Sequence, residues 1–142
     1  MGRILAIDYG RKRVGLAVTD PGQMISSPMT TISAAQIIPF LKDYFAKEEV
    51  DLIVIGEPRQ MNNLPSESVQ YIEPFIRLFR KTFPEMKIAR VDERFTSHLA
   101  QQAIFQSGKK KSARRNKALV DAVSAAIILQ SYLEMRDMGR FK

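Results

Sequence analysis

The stretch "AIDYGRKRVGLAVTD", residues 6–20, decides the fold of this chain. It begins inside "RILAIDY", a continuous apolar run of strand length that is typical of a strand buried on both faces. "GRKR" is a turn in which Gly10 is free to take a positive φ, and "VGLAVTD" has the pattern of a second strand. The stretch therefore predicts a hairpin whose first strand is central and carries Asp8 near its carboxyl end.

Three further strands and their crossovers complete the predicted sheet. "MISSPMTTI" is a third antiparallel strand, and Pro28 confines it to a sheet edge because proline cannot donate a ladder hydrogen bond. A helix follows Ser33, and a second helix runs from about Ser66 to Phe83, where Pro74 should kink or interrupt it. The strands "VDLIVIGEP" and "MKIARVDERF" each follow one of these helices, so right-handed crossovers make the first, fourth and fifth strands parallel. We expect an α/β fold with a mixed five-stranded sheet, order 3-2-1-4-5, flanked by helices.

Length and composition limit the classes of protein to which this chain can belong. The chain has 142 residues, 45% of them hydrophobic, which suits one compact domain over residues 1–142. It has no cysteine, which excludes disulfides, thiolate metal sites and a cysteine nucleophile and suits a reducing cytoplasm. No apolar stretch approaches the roughly 18 residues that span a bilayer. We therefore expect a soluble cytoplasmic protein with no membrane partner.

The charge balance favours a polyanionic partner. Lys and Arg number 22 against 15 Asp and Glu, a formal net charge of +7, which promotes phosphate contacts and counterion release. The run "KKKSARRNK" holds six cations in nine residues, although a solvated basic loop would carry the same composition. The candidate phosphate contacts in this run and in the first turn are Lys110, Arg114, Arg115, Arg11, Lys12 and Arg13.

Each parallel strand of the predicted sheet ends with an acidic residue. The three ends are "DYG", "GEP" and "DERF", and sites in such sheets form outside the carboxyl ends of the strands. Asp8 and Glu57 lie on neighbouring strands ~4.8 Å apart, whereas an acid of the fifth strand must reach across one strand. The longer side chain favours Glu93 over Asp92, and alternation sends those two to opposite faces. A strand-end acid can also be a simple turn former.

Asp121 is a fourth candidate, on a final helix with the sequence "NKALVDAVSAAIILQSYL". The small residues around it, Ala122, Ala125 and Ala126, would let this helix approach the sheet closely. An unpaired carboxylate on such a face is costly to bury. Asp121 is therefore either a metal ligand, an exposed aspartate or the partner of Lys117 four residues earlier.

Converging carboxylates predict a divalent-metal site. Oxygen ligands in a chain without cysteine favour Mg²⁺ or Mn²⁺ over zinc. Two such ions ~4 Å apart can activate a water and stabilise the leaving oxygen of a phosphodiester displacement. The pattern therefore favours a two-metal nuclease, a reaction that needs no cysteine, serine or histidine nucleophile.

Three motifs resemble one known family. "AIDYGRKRVGLAVTD", "VDERFTSHLA" and "KALVDAVSAAIILQSYL" are similar to the signatures of the YqgF or RuvX family, and the likeness runs from about residue 2 to residue 133. The resemblance implies an RNase H-like fold and metal-dependent hydrolysis of nucleic acid during 5′-end maturation of pre-16S rRNA in the bacterial cytoplasm. It matches Asp8, Glu93 and Asp121 to the family's catalytic, metal-binding carboxylates. Arg94 falls in the same "DER" motif, as a phosphate contact or an ion-pair partner.

Glu57 departs from the pattern of this family. Many relatives have leucine at this "GLP" position, whereas the RuvC-like resolvases, which share the fold, place a catalytic glutamate near the end of this strand. Glu57 is accordingly either an additional ligand or a surface variant.

Other functions are also compatible with the basic charge. A Holliday junction resolvase would use the same chemistry but would need a symmetric dimer to cut two opposed strands, and the sequence leaves monomer and homodimer open. A non-catalytic RNA-binding factor acting on ribosomal assembly intermediates would fit the cations but gain nothing from clustered acids. A phosphate-binding domain of the actin and sugar-kinase type needs a second domain that this length does not allow. The acids therefore favour a nuclease, and the resemblance implies precursor rRNA as its substrate, with a DNA junction as the alternative.

Overall fold

The computed structural model describes residues 2–57, 69–92 and 117–138. It has five strands, three α-helices and one short 3₁₀ turn within those ranges. The strands are β1 (Arg3–Tyr9), β2 (Arg13–Thr19), β3 (Ser26–Ser33), β4 (Val50–Glu57) and β5 (Lys87–Asp92). The helices are α1 (Ile37–Lys47), which follows the 3₁₀ turn Ala34–Gln36, α2 (Val69–Thr82) and α3 (Lys117–Asp137).

The strands form one mixed sheet in the order β3-β2-β1-β4-β5. β2 is antiparallel to both β1 and β3, whereas β1, β4 and β5 run parallel, which confirms the topology predicted from the sequence. Pro28 lies in the edge strand β3, next to a register shift between Leu16 and Ala17 of β2. The missing N–H of Pro28 therefore costs no ladder bond in the sheet interior.

Apolar clusters cover both faces of the sheet. α3 packs on one face, where its Ala125, Ala126 and Leu129 join residues such as Ala6 and Val54. α1 and α2 cover the other face, which holds a second cluster. Alternation along β1 sends Ile4 and Ala6 to the α3 face and Leu5 and Ile7 to the opposite face, all of them at most 2% exposed. β1 is thus the central, doubly buried strand that its unbroken apolar sequence predicts.

Pro74 does not interrupt α2, contrary to one of the two outcomes expected for it. The helix runs unbroken through Pro74 from Val69 to Thr82. Four apolar side chains of α2 are at most 4% exposed, namely Ile72, Phe75, Ile76 and Phe79. Burying each contributes about 1.5–3 kcal/mol, which together exceeds the roughly 3 kcal/mol that an interior proline costs. The expected start near Ser66 lies outside the described residues.

The start of the first helical segment agrees with the position predicted from the sequence. Ser33 caps the 3₁₀ turn before α1, its hydroxyl oxygen accepting a hydrogen bond from the amide of Ala35. α3 ends at Asp137, four residues beyond the helical sequence quoted above. None of the helices in the described part of the chain is long and apolar enough to cross a bilayer.

Candidate active site

Asp8 occupies the penultimate position of β1, at the carboxyl end of the central strand. Its register partner on the antiparallel strand β2 is Gly15, and alternation places it on the same face as Ala6, under α3. The apolar residues before it fix the backbone on both faces of the sheet. Asp8 is therefore a carboxylate held on a rigid element, as the sequence predicts.

Gly15 allows α3 to approach the sheet next to Asp8. A Cβ atom at Gly15 would lie 2.0 Å from the carbonyl oxygen of Asp121 and 3.0 Å from the amide nitrogen of Ala122. The backbone of α3 thus rests directly on β2 at the residue that pairs with Asp8. This contact brings Asp121 over the carboxyl end of β1, so that two carboxylates 113 positions apart in the chain share one site.

The two carboxylates interact electrostatically. Burial raises the pKa of Asp8 from 3.8 to about 6, and the negative charge of Asp121 contributes to the same shift. Neither cause is a compensating cation or a hydrogen-bond donor, either of which would lower the pKa. Ionised Asp8 is therefore destabilised in the metal-free protein, and a divalent cation between the two carboxylates would relieve that repulsion.

Arg13 is bound to the second carboxylate of the site. Its Nε donates to Asp121 Oδ2 at 2.7 Å, a short charge-assisted hydrogen bond. The Arg13 side chain is 48% exposed and that of Asp121 is 26% exposed. Asp121 is thus paired with the hairpin turn, neither free at the surface nor left unpaired in the interior.

The turn that follows Asp8 carries three cations to the edge of the site. The amide of Gly10 donates to the carbonyl oxygen of Arg13 at 2.9 Å and closes the hairpin. Arg11, Lys12 and Arg13 are all exposed, and the Arg11 guanidinium lies 5.6 Å from the ring centroid of Tyr71 on α2. Of these three cations, Arg13 contacts the site through Asp121, whereas Arg11 lies against α2, which packs on the other face of the sheet.

The structure does not bring Glu57 together with Asp8. Glu57 alternates with Ile53 and Ile55, whose side chains belong to the cluster on the opposite face. There its Oε1 lies 2.8 Å from Nη2 of Arg90, which also forms an ion pair with Glu73 of α2. Asp92 is the register partner of Glu57 and has the same orientation. Glu57 thus connects β4, β5 and α2 on the other side of the sheet from the proposed ligands.

Five of the predicted site residues lie outside the described residues: Glu93, Arg94, Lys110, Arg114 and Arg115. Within residues 2–57, 69–92 and 117–138, no group of three or more acidic or histidine side chains is arranged to hold a metal ion. The described ranges therefore supply two members of the predicted carboxylate set, Asp8 and Asp121.

Several known proteins are similar to this chain in sequence. A family described as "RuvX: Holliday junction resolvase" matches residues 2–135. The chain belongs to the RuvX family. A Flavobacterium psychrophilum relative of this RuvX chain is 57% identical over 133 residues, covering 94% of this chain and 97% of the relative. A Bacteroides thetaiotaomicron relative is 53% identical over 136 residues, covering 96% and 99%. Both carry the name "Putative pre-16S rRNA nuclease".

A solved structure resembles the RuvX chain in fold. It is Thermus thermophilus RuvC in complex with a Holliday junction substrate, with a TM-score of 0.58 and 12% sequence identity. The alignment covers 96% of this chain and 97% of RuvC. At this identity the likeness concerns the fold, which is RNase H-like as the sequence motifs implied.

Two residues shape this part of the RuvX fold in ways that the sequence interpretation missed. The sequence interpretation gave Gly15 no role, whereas the structure shows that it lets α3 contact β2. The signal was present, because Gly15 and Ala17 alternate on a strand that faces the alanines of α3. Arg90 was overlooked, although an arginine in the middle of a half-buried strand usually has an acidic partner, and Glu57 is the acid at the end of the neighbouring strand.

Proposed function

We propose that this chain is a divalent-metal-dependent nuclease that hydrolyses phosphodiester bonds during processing of the 5′ end of pre-16S rRNA. The convergence of Asp8 and Asp121 at the carboxyl end of β1 carries this proposal. The curated relatives support the substrate through their names, because they are more than half identical to this chain over nearly its whole length. The net charge of +7 suits a polyanionic substrate.

The residues at the site fit Mg²⁺ or Mn²⁺. Asp8 and Asp121 offer hard oxygen ligands, and we propose Glu93 as the third. The raised pKa of Asp8 arises from burial and a neighbouring like charge. A divalent cation between the two carboxylates would stabilise their ionised forms. When bound, a pair of such ions would activate the attacking water and stabilise the leaving oxygen.

The chain's own residues would bind and orient the substrate. Arg11, Lys12 and Arg13 are exposed beside the site, where they can contact phosphates on either side of the scissile bond. We propose the same role for the cations outside the described residues, which are Arg94, Lys110, Arg114 and Arg115. With a pKa of about 6, Asp8 is mostly ionised at neutral pH, and a bound cation would favour the ionised form further.

The proposed cellular setting follows from the substrate. We expect one domain of 142 residues that acts in the bacterial cytoplasm on ribosomal assembly intermediates. We propose that it acts as a monomer or as a homodimer.

Holliday junction resolution is the second candidate. The description of the matching family and the RuvC-like fold favour it. It differs from rRNA processing in requiring a symmetric dimer, since two opposed strands must be cut together. A non-catalytic role in ribosome assembly would use the cations alone, leaving the convergence of two carboxylates without a purpose.

The experiment that separates these candidates compares substrates directly. Protein freed of contaminating nucleases is incubated with a precursor 16S rRNA fragment and with a four-way DNA junction, each with Mg²⁺ and with EDTA. We expect Mg²⁺-dependent cleavage of the RNA at defined positions. Cleavage of the junction alone, by a dimer, would favour the resolvase, and no cleavage of either would favour the assembly factor.

A further inference from the structure

The hydrogen bond between Arg13 and Asp121 places a cation on one of the two described carboxylates of the proposed site. Arg13 and Gly15 lie on the same face of β2, and Gly15 is the residue on which the backbone of Asp121 rests. The guanidinium therefore reaches Asp121 from the strand that positions it. The two residues are 108 positions apart, so the bond exists only in the folded chain.

The bond uses only one of the three nitrogens of the guanidinium. Nε binds Asp121 Oδ2 at 2.7 Å, and no described residue accepts a hydrogen bond from the two terminal nitrogens. Nearly half of the Arg13 side chain is exposed. The carboxylate thus holds one edge of the guanidinium, and the whole fork becomes available to a phosphate only when Asp121 releases it.

A divalent cation bound to Asp8 and Asp121 would compete with Arg13 for Asp121. The oxygen that now accepts from Arg13 would be attracted to a double positive charge, which would also repel the guanidinium. An exposed ion pair contributes little free energy, so the ion can displace it. The released guanidinium would then lie beside the site with all its donors available.

We propose that Arg13 exchanges partners between Asp121 and a substrate phosphate, which couples metal binding to nucleic-acid binding. This inference rests on the proposed function. In the metal-free protein Arg13 is the counter-cation of Asp121. In the loaded protein it binds the phosphodiester backbone, so each ligand favours the arrangement that the other needs.

Metal affinity is the first test. The Kd for Mn²⁺ is measured by titration calorimetry, without nucleic acid, for wild type, Arg13→Gln, Arg13→Lys and Lys12→Gln. Arg13→Gln should bind Mn²⁺ about three- to tenfold more tightly, because the competing cation is gone. Arg13→Lys, which keeps the charge, should stay closer to wild type. Lys12→Gln is the matched control, since it removes an equal charge one residue away, and its Kd should change less than twofold.

Nucleic-acid affinity is the second test. With Ca²⁺ in place of Mg²⁺ to limit turnover, Arg13→Gln should bind RNA more weakly, with a salt dependence shallower by about one phosphate contact. Without any divalent ion, Arg13→Gln and wild type should bind RNA with similar affinity, because Asp121 then holds the guanidinium. Lys12→Gln should weaken RNA binding equally under both conditions. A loss from Arg13→Gln that is the same with and without the ion would overturn the proposal.

A measurement on wild type removes any dependence on variant folding. The Nε–H signal of Arg13 in a ¹⁵N spectrum should show protection from solvent exchange in EDTA and lose it as Mg²⁺ saturates the site. An unchanged signal at saturation would overturn the exchange of partners.

These outcomes separate the inference from the function on which it rests. If Asp8→Asn weakens Mn²⁺ binding but Arg13→Gln leaves it unchanged, the metal site stands and the role of Arg13 is wrong. If Asp8→Asn binds Mn²⁺ as tightly as wild type, the metal site itself fails, and the inference fails with it.

Discussion

Replacing Asp8 with asparagine should change how the stability of the metal-free protein depends on pH. Burial and the charge of Asp121 raise the pKa of Asp8 from 3.8 to about 6. A carboxyl whose pKa is raised by folding stabilises the folded state only while it is protonated. That contribution is complete below pH ~4 and is lost as the pH rises through about 6. The difference between pKa values of 3.8 and about 6 corresponds to at most about 3 kcal/mol.

The assay is urea unfolding of wild type and Asp8→Asn in EDTA, at pH values from 4 to 8. Asparagine stays neutral throughout, so the variant should not lose this contribution. The free energy of unfolding of Asp8→Asn, relative to wild type, should therefore increase by up to about 3 kcal/mol between pH 4 and pH 8. The comparison uses the change of this free-energy difference with pH. A constant effect of the new amide group on stability therefore cancels.

Asp43→Asn is the matched control, because Asp43 is an exposed aspartate of α1 that pairs with Lys47. Its effect on stability should stay within about 0.5 kcal/mol across the range. Saturating Mg²⁺ should stabilise wild type and not Asp8→Asn. Identical pH profiles for wild type and Asp8→Asn in EDTA would refute the electrostatic reasoning at this site.

Three further substitutions test residues that surround the two carboxylates or lie on neighbouring strand ends and turns. Gly15→Ala places a methyl group 2.0 Å from the Asp121 carbonyl oxygen. The free energy of unfolding, measured with urea, should therefore fall by about 1–3 kcal/mol. Unchanged stability would contradict the close contact between α3 and β2. Glu57→Gln should destabilise the fold by about 1 kcal/mol, because it weakens the ion pair with Arg90. The Kd of Glu57→Gln for Mn²⁺ should stay within twofold of wild type, and a larger loss would return Glu57 to the metal site. Arg11→Gln should lower RNA affinity with a salt slope smaller by about one, and an unchanged slope would exclude Arg11 from phosphate contact.

The sheet was predictable because its order follows from few physical rules. The unbroken apolar sequence of β1 made it central, Pro28 made β3 an edge, and the handedness of crossovers placed β4 and β5 beside β1. Asp8 and Asp121 were identified from a strand end and from the small residues of α3. Each of these signals depends on neighbouring residues or on general rules of topology, so one sequence is enough to recognise it.

The orientation of Glu57 was not predictable in the same way. β4 is apolar on both faces, so the alternation of its residues does not show whether Glu57 lies on the same face of the sheet as Asp8. The answer depends on the register between β1 and β4, which includes an irregularity between Arg3 and Ile4. The pair of Arg13 and Asp121 was equally hidden, because 108 positions separate its members and no local spacing connects them.

Mg²⁺-dependent cleavage of precursor 16S rRNA by wild type, Asp8→Asn and Asp121→Asn tests the central claim most directly. Each variant is first shown to be folded by circular dichroism and urea unfolding, and Asp43→Asn is assayed in parallel as the control. The two carboxylates are proposed to hold the same ions, so each substitution should abolish cleavage while Asp43→Asn retains it. Equal cleavage by wild type and folded Asp8→Asn would contradict the assignment of this site as the catalytic centre.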